Sequence, residues 1–191
     1  MSSRSDKILL TGAPGCGKTT AIIQIVEKLK GIKVAGFYTQ EIREDNTRKG
    51  FSWTRLDGAI GILAHVNTKS PYKIGKYGVD VYGFEEYVVP ILDISHSDAE
   101  LFIIDEIGKM ECFSKKFITA ACRLFASDKS VLATVAQKGA GLICEVKNYP
   151  GIKLFHLTHH DCNDTIAEIL QILSSHKYVE DIQSNSKPTD I

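Results

Sequence analysis

The chain has 191 residues, and its 23 basic side chains are balanced by 23 acidic ones. It is the size of one large domain, with no overall field to draw it to nucleic acid or an anionic membrane surface. Met1 to Lys7 is short and polar, too short for a signal or transmembrane helix, and the five cysteines lack C-x-x-C pairing, so a cytoplasmic protein with reduced thiols and no membrane attachment, disulfide or zinc site is expected.

The first apolar run, Ile8-Leu9-Leu10, leads into Gly12-Ala13-Pro14-Gly15-Cys16-Gly17-Lys18-Thr19-Thr20 and then an amphipathic segment, Ala21, Ile22, Ile25, Val26 and Leu29, closed by Gly31. G-x-x-x-x-G-K-[ST] between a strand and a helix is the phosphate-binding loop, or P-loop. Its glycines let successive N–H groups point inward at the positive end of the helix that follows. Lys18 adds a point charge on the β- and γ-phosphates, and the Thr19 hydroxyl is placed to ligate Mg²⁺. Cys16 contributes its backbone N–H; its thiol is oxidisable if exposed.

Val34 to Thr39 reads as a second strand. The charged stretch Glu41 to Arg48 contains Asp45-Asn46, a pair suited to a tight hairpin turn. Phe51 to Leu56 and Ile60 to Val66 read as strands joined at Asp57-Gly58, antiparallel and an appendage to the main sheet. Trp53 on the first of them is expected to pack rather than to stack on a base. Tyr72 to Gly83 reads as a glycine-spaced loop lying over a ligand or packed by its own tyrosines. Phe84, Tyr87, Val88 and Ile91 have helical spacing that Pro90 should distort.

Leu101 to Ile104 is a continuous apolar run ending in Asp105-Glu106. Beside a P-loop, Asp105 is placed to hold Mg²⁺ through water and with Thr19, while Glu106 can orient and deprotonate a water in line with the γ-phosphate. Lys109 is within sequence reach of the transferring phosphoryl group, or is a solvated lysine. Phe113 to Phe125 reads as a helix with Ser114 near its start, Val131 to Val135 as a short strand whose end carries Thr134, Lys138 to Lys147 as a weaker helix and Ile152 to Leu157 as the last strand. Thr165-x-x-Glu168 reads as a capping box for a final helix. Residues 1–174 are thus one α/β domain, a mostly parallel sheet with helices on both faces, and residues 175–191 a polar, frayed tail. His159-His160-Asp161-Cys162 has metal-ligand residue types, but adjacent side chains on extended chain point to opposite faces.

Three blocks, Gly12 to Thr20, Gly36 to Arg43 with Arg48 to Phe51, and Ile104 to Glu111, resemble the family of small P-loop nucleoside triphosphatases that comprises the thermostable NTPases and the cancer-related nucleoside triphosphatase. The resemblance spans about Lys7 to Leu173. It implies a RecA-like fold and slow, Mg²⁺-dependent hydrolysis of several nucleoside triphosphates (ATP, GTP, CTP and UTP) with little base selectivity. It supports Lys18, Glu106 and Lys109 as catalytic, Thr19 and Asp105 as metal-binding, and Gly12 to Thr20 with Asp105, Glu106 and Gly108 as nucleotide-binding. Asn46 stands where glycine is expected in the hairpin, and after Thr134 the match fades, so no lid or sensor residue is carried over there. Arg43 and Arg48 fit the family pattern without showing whether they contact phosphate.

A nucleotide or small-molecule kinase on the same fold is the alternative, since Glu106 serves an acceptor hydroxyl as well as water. A nucleotide switch ranks third; Asn67-Thr68-Lys69-Ser70 is not the N-K-x-D run that reads guanine. Arg43, Arg48, Lys49 and Arg55 form a local basic cluster, more in keeping with a solvated hairpin than with nucleic-acid binding.

Overall fold

A computed structural model describes residues 5–184, with side chains through Ser174. In chain order the strands are β1 (Lys7–Thr11), β2 (Val34–Glu44), β3 (Thr47–Arg55), β4 (Ile60–His65), β5 (Lys73–Ile74), β6 (Tyr77–Val79), β7 (Leu101–Ile107), β8 (Ser130–Val135) and β9 (Ile152–His156). The helices are α1 (Lys18–Lys28), α2 (Val81–Tyr87), α3 (Lys115–Ala126), α4 (Leu142–Lys147) and α5 (Cys162–Ser184). All these strands form one sheet in the order β5-β6-β4-β3-β2-β7-β8-β1-β9. From β2 to β9 in that order the pairings are parallel, and from β5 to β2 they are antiparallel. The hairpin expected as an appendage therefore continues the main sheet.

Period-two alternation sorts the apolar runs onto two faces. Ile8, Leu10, Leu101, Ile103 and Leu132 pack with α1 and α5, whereas Leu9, Phe102, Ile104, Val131 and Ala133 pack with α2, α3 and α4. Ser114 caps α3, its hydroxyl accepting the Phe117 N–H at 2.9 Å. Lys7 reaches across that helix's far end and donates to the Leu124 and Ser127 carbonyls at 3.0 and 3.1 Å, adding to the cap in which the Ser127 N–H and hydroxyl donate to Leu124.

Five expectations need correction. The Tyr72 to Gly83 stretch holds the small β5–β6 hairpin and the start of α2 rather than a loop over the cleft. The helix expected through Ile91 ends at Tyr87, and Val89–Leu92 continues as a 3₁₀ turn with Pro90 in its first turn, where its missing N–H is harmless. The helix expected from Lys138 begins only at Leu142, after Gly141 at φ 58°. Thr165 and Glu168 lie inside α5, which starts at Cys162, so they form no capping box. That helix also continues through Ser184, past the boundary expected at 174. Met1–Arg4 and 185–191, the ends of the two expected polar segments, lie outside the described residues.

The Asp45-Asn46 turn has positive φ at both residues (47° and 59°), the backbone that a two-residue hairpin with right-handed twist requires and that Asn tolerates without glycine. Gly36 on β2 is a stricter case, since it has φ 135° and an added Cβ would lie 2.0 Å from the Ile103 carbonyl oxygen of β7. Gly36→Ala is expected to cost about 3 kcal/mol by combining backbone strain with overpacking. Urea unfolding checks this; a loss below about 1 kcal/mol would mean that β2 and β7 separate freely at this point.

Candidate active site

The P-loop joins the carboxyl end of β1 to α1. Gly15 and Gly17 take positive φ (78° and 97°), and Gly17 stands at the helix N-cap. Gly12 is needed for close approach, because a Cβ there would lie 2.5 Å from the Leu157 carbonyl oxygen and 2.6 Å from Cys16 Sγ. The Cys16 thiol is thus buried beneath the loop, away from oxidants. Ala13, Pro14 and Gly15 are exposed on the outside of the turn, as is Thr20 one residue beyond Thr19. Lys18 Nζ folds across the loop and donates to the Gly12 and Ala13 carbonyls at 3.1 and 3.4 Å.

Asp105 ends the apolar part of β7 and is 1% exposed. Both of its oxygens are bonded. Oδ2 accepts the Thr19 hydroxyl at 2.7 Å and the Thr39 N–H at 3.4 Å, and Oδ1 accepts the Thr134 hydroxyl. Burial pushes its pKa up, and the bonds from Thr134, Thr19 and Thr39 oppose that, as does the Lys18 charge. Sequence reasoning put Thr19 beside Asp105 but missed Thr39 and Thr134. A hydroxyl at the end of an otherwise apolar strand was the available signal for Thr134.

Glu106 is half-buried in the same cleft, where burial raises its pKa, Lys18 lowers it and Asp105 adds a smaller upward push. The charge of Lys147 also bears on Glu106, while its ammonium fastens the turn after β8 by donating to the Ala136 and Gln137 carbonyls at 2.6 and 2.9 Å. Gly108 separates two acids: an added Cβ would meet Glu111 Oε2 at 2.7 Å and Glu106 Oε1 at 3.5 Å. Glu111, buried behind the cleft, carried no sequence signal. Its carboxyl is pushed up to about 8, first by burial and then by Glu106 and Asp105. Lys109 is exposed and does not line the cleft.

The cleft has a volume of about 670 Å³. Its floor is the P-loop from Pro14 to Thr20, and its wall is the β2–β3 hairpin through Thr39, Gln40, Glu41, Arg43, Arg48 and Phe51, with Glu106 at the back. A second groove of about 610 Å³ runs between the Val89–Leu92 turn and α3, away from these groups. Every member of the expected basic cluster has an acidic partner, four cations on three carboxylates: Arg43 and Arg48 pair with Glu41, Lys49 with Glu44 and Arg55 with Asp57. Trp53 is buried and stacks on Tyr87 with ring centroids 6.2 Å apart.

The donor set suits Mg²⁺. Hydroxyl and carboxylate oxygens stand together at the mouth of a phosphate loop, and Mg²⁺ takes one or two such protein ligands, waters and substrate phosphates rather than an all-protein cage. Among the described residues no cluster of three or more His, Cys, Asp or Glu side chains forms such a cage. With both Asp105 oxygens already bonded, its contact would run through water.

A family model described as NTPase matches residues 7–170. The nucleoside-triphosphatase THEP1 of Thermotoga sp. (strain RQ2) is 42% identical over 167 residues, covering 87% of this chain and 95% of that protein. The cancer-related nucleoside-triphosphatase of Homo sapiens is 36% identical over 183 residues, 88% of this chain and 96% of that one. The crystal structure of THEP1 from the hyperthermophile Aquifex aeolicus superposes with a TM-score of 0.81 at 37% identity, covering 87% of this chain and 98% of that chain.

Glu111 makes stability depend on pH. Its folded pKa of about 8 lies above the ordinary 4.5, so the fold favours the protonated acid. As pH rises through that window the unfolded chain ionises freely while the folded carboxyl resists, and stability falls. Glu111→Gln is expected to remove that slope, gaining up to about 4 kcal/mol on wild type between about pH 5 and pH 9 in denaturant titrations. Parallel curves would show that Glu111 ionises normally in the fold.

Proposed function

The chain belongs to this NTPase family and is a nucleoside-triphosphatase, and from that premise we propose that it hydrolyses ATP, GTP, CTP and UTP with little base selection, using Mg²⁺, in the cleft between the P-loop and β7. The observation that carries this reading is the 2.7 Å bond from Thr19 to Asp105, which sets the phosphate loop against the strand end that bears Glu106. Base tolerance is supported by the named activity of the relatives and by the lack of an N-K-x-D run.

In the proposed reaction the P-loop N–H groups hold the β-phosphate, and Lys18 exchanges the Gly12 and Ala13 carbonyls for β- and γ-oxygens. Thr19 and, through water, Asp105 would hold Mg²⁺, which when bound neutralises charge on the β- and γ-phosphates. A water oxygen bonds to the γ-phosphorus as the bond from that phosphorus to the β–γ bridging oxygen breaks. The bridging oxygen leaves with the nucleoside diphosphate, and the water proton passes to Glu106 and then to solvent. Burial of Glu106 makes it a better proton acceptor than a free carboxylate. Lys109 has no assigned step. Among the described residues no helix is long and apolar enough to cross a membrane. A cytoplasmic location is our further reading, supported by five unpaired cysteines.

Phosphate release measured with each of the four triphosphates, with Mg²⁺ and with chelator, tests this. Release from all four that chelator abolishes is expected; release from one alone would overturn base tolerance, and turnover in chelator would overturn the Mg²⁺ role. Lys18→Ala should lose tight triphosphate binding by calorimetry. Glu106→Gln should bind normally yet turn over at least ~100-fold more slowly, the scale of a lost general base.

A further inference from the structure

The wall of the cleft opposite the P-loop carries two arginines on one carboxylate. Arg43 and Arg48 are cross-strand partners on β2 and β3, at an irregularity in register between Ile42 and Arg43. Glu41 gives one oxygen to each. Its Oε1 accepts Arg48 Nη1 at 2.7 Å, and its Oε2 accepts Arg43 Nε at 2.8 Å with Arg43 Nη2 2.6 Å away.

The two arginines are held differently. Arg48 is fixed from three strands: besides Glu41, its Nε donates to the Tyr77 hydroxyl at 3.2 Å, and its guanidinium lies 5.2 Å from the Phe51 ring centroid and 5.8 Å from that of Tyr77. Apart from Glu41, Arg43 donates among the described residues only to the Asn46 carbonyl at the hairpin turn, at 3.1 Å, and its side chain is 56% exposed. One guanidinium is therefore anchored by rings and a phenol, and the other is held at the surface by one carboxylate and one turn carbonyl.

We propose that Glu41 is a latch that parks Arg43 between turnovers and yields it to the γ-phosphoryl group of bound triphosphate, while Arg48 remains on Glu41 and Tyr77. This rests on the hydrolase reading of the cleft. A triphosphate offers Arg43 two oxygens and several charges in place of the one oxygen that Glu41 gives it, and charge spreads onto the γ-oxygens as the bond to the leaving group lengthens. Arg43 is then a catalytic residue and Glu41 a positioning residue. Once phosphate has been cut loose, Glu41 recaptures Arg43 and removes the cation that would retain the product.

The test compares Arg43→Ala, Arg43→Lys, Arg48→Ala and Glu41→Gln with wild type in one phosphate-release assay, with thermal unfolding to confirm folding. Arg43→Ala should lower kcat about 1,000-fold, the scale of an arginine supplied to phosphoryl transfer, with KM changed little. Arg43→Lys should not rescue it, because a point charge cannot bridge two oxygens. Arg48→Ala should raise KM more than it lowers kcat. Glu41→Gln should lower KM several-fold and strengthen inhibition by inorganic phosphate, which loss of a merely structural ion pair would not do. Arg43→Ala turning over like an active wild type, or Glu41→Gln with unchanged KM and phosphate inhibition, would overturn the latch alone. A wild type that releases no phosphate would instead overturn the hydrolase reading.

Discussion

One buried carboxylate sets the geometry of this protein. Taking Asp105 out of water carries a desolvation cost of several kcal/mol unless its oxygens are bonded, and here the bonds come from α1, β2 and β8. Each partner belongs to a different part of the chain, brought together because strand order departs from chain order. β8 stands between β1 and β7, and β2 flanks β7 on the other side. The P-loop that follows β1 thus stands one strand away from the end of β7. Asp105 turns that proximity into a fixed distance, since Thr134 serves Oδ1 while Thr19 and Thr39 share Oδ2, and a buried oxygen stripped of its donors is costly.

The same carboxylate explains why the neighbouring groups behave as they do. With Asp105 saturated by donors, Glu106 is left as the acid of the pair that faces the cleft, and Glu111 behind Gly108 feels both charges and holds its proton. Three acids in one short stretch are tolerated because each sits in a different setting. One is bonded from all sides, one is half-buried near Lys18 and Lys147, and one is protonated.

Where the sequence carried a strong local pattern it was readable. The runs Ile8 to Leu10 and Leu101 to Ile104 alternate between two packed faces, Gly12 to Thr19 dictates a backbone shape, and Asp45-Asn46 permits positive φ. Where the outcome depended on distant partners it was not. Strands of two and three residues, β5 and β6, are too short to show a period, and they form because β4 offers an edge to pair with. The start of α5 at Cys162 overrode a capping pattern three residues on, since Ile166, Ile169 and Leu173 fix the helix by packing and the polar spacing alone does not. No local pattern marks Glu111 as buried, and the sharing of Glu41 by two arginines depends on cross-strand register, which no local pattern reports.

The cations of the cleft follow a common rule. Lys18 rests on two carbonyls, and Arg43 on Glu41 and a turn carbonyl. Each interaction partner is weaker, or carries less charge, than a polyphosphate, so triphosphate binding can exchange existing hydrogen bonds instead of ordering bare charges from solvent. Exchange keeps the cleft intact around its own groups and lowers the reorganisation needed on binding. It also limits affinity, because each bond that Lys18 and Arg43 make to phosphate is set against one given up. For an enzyme that must let diphosphate and phosphate go, that limit works in favour of turnover: the carbonyls and Glu41 compete for the same cations as soon as the γ-phosphoryl group is detached.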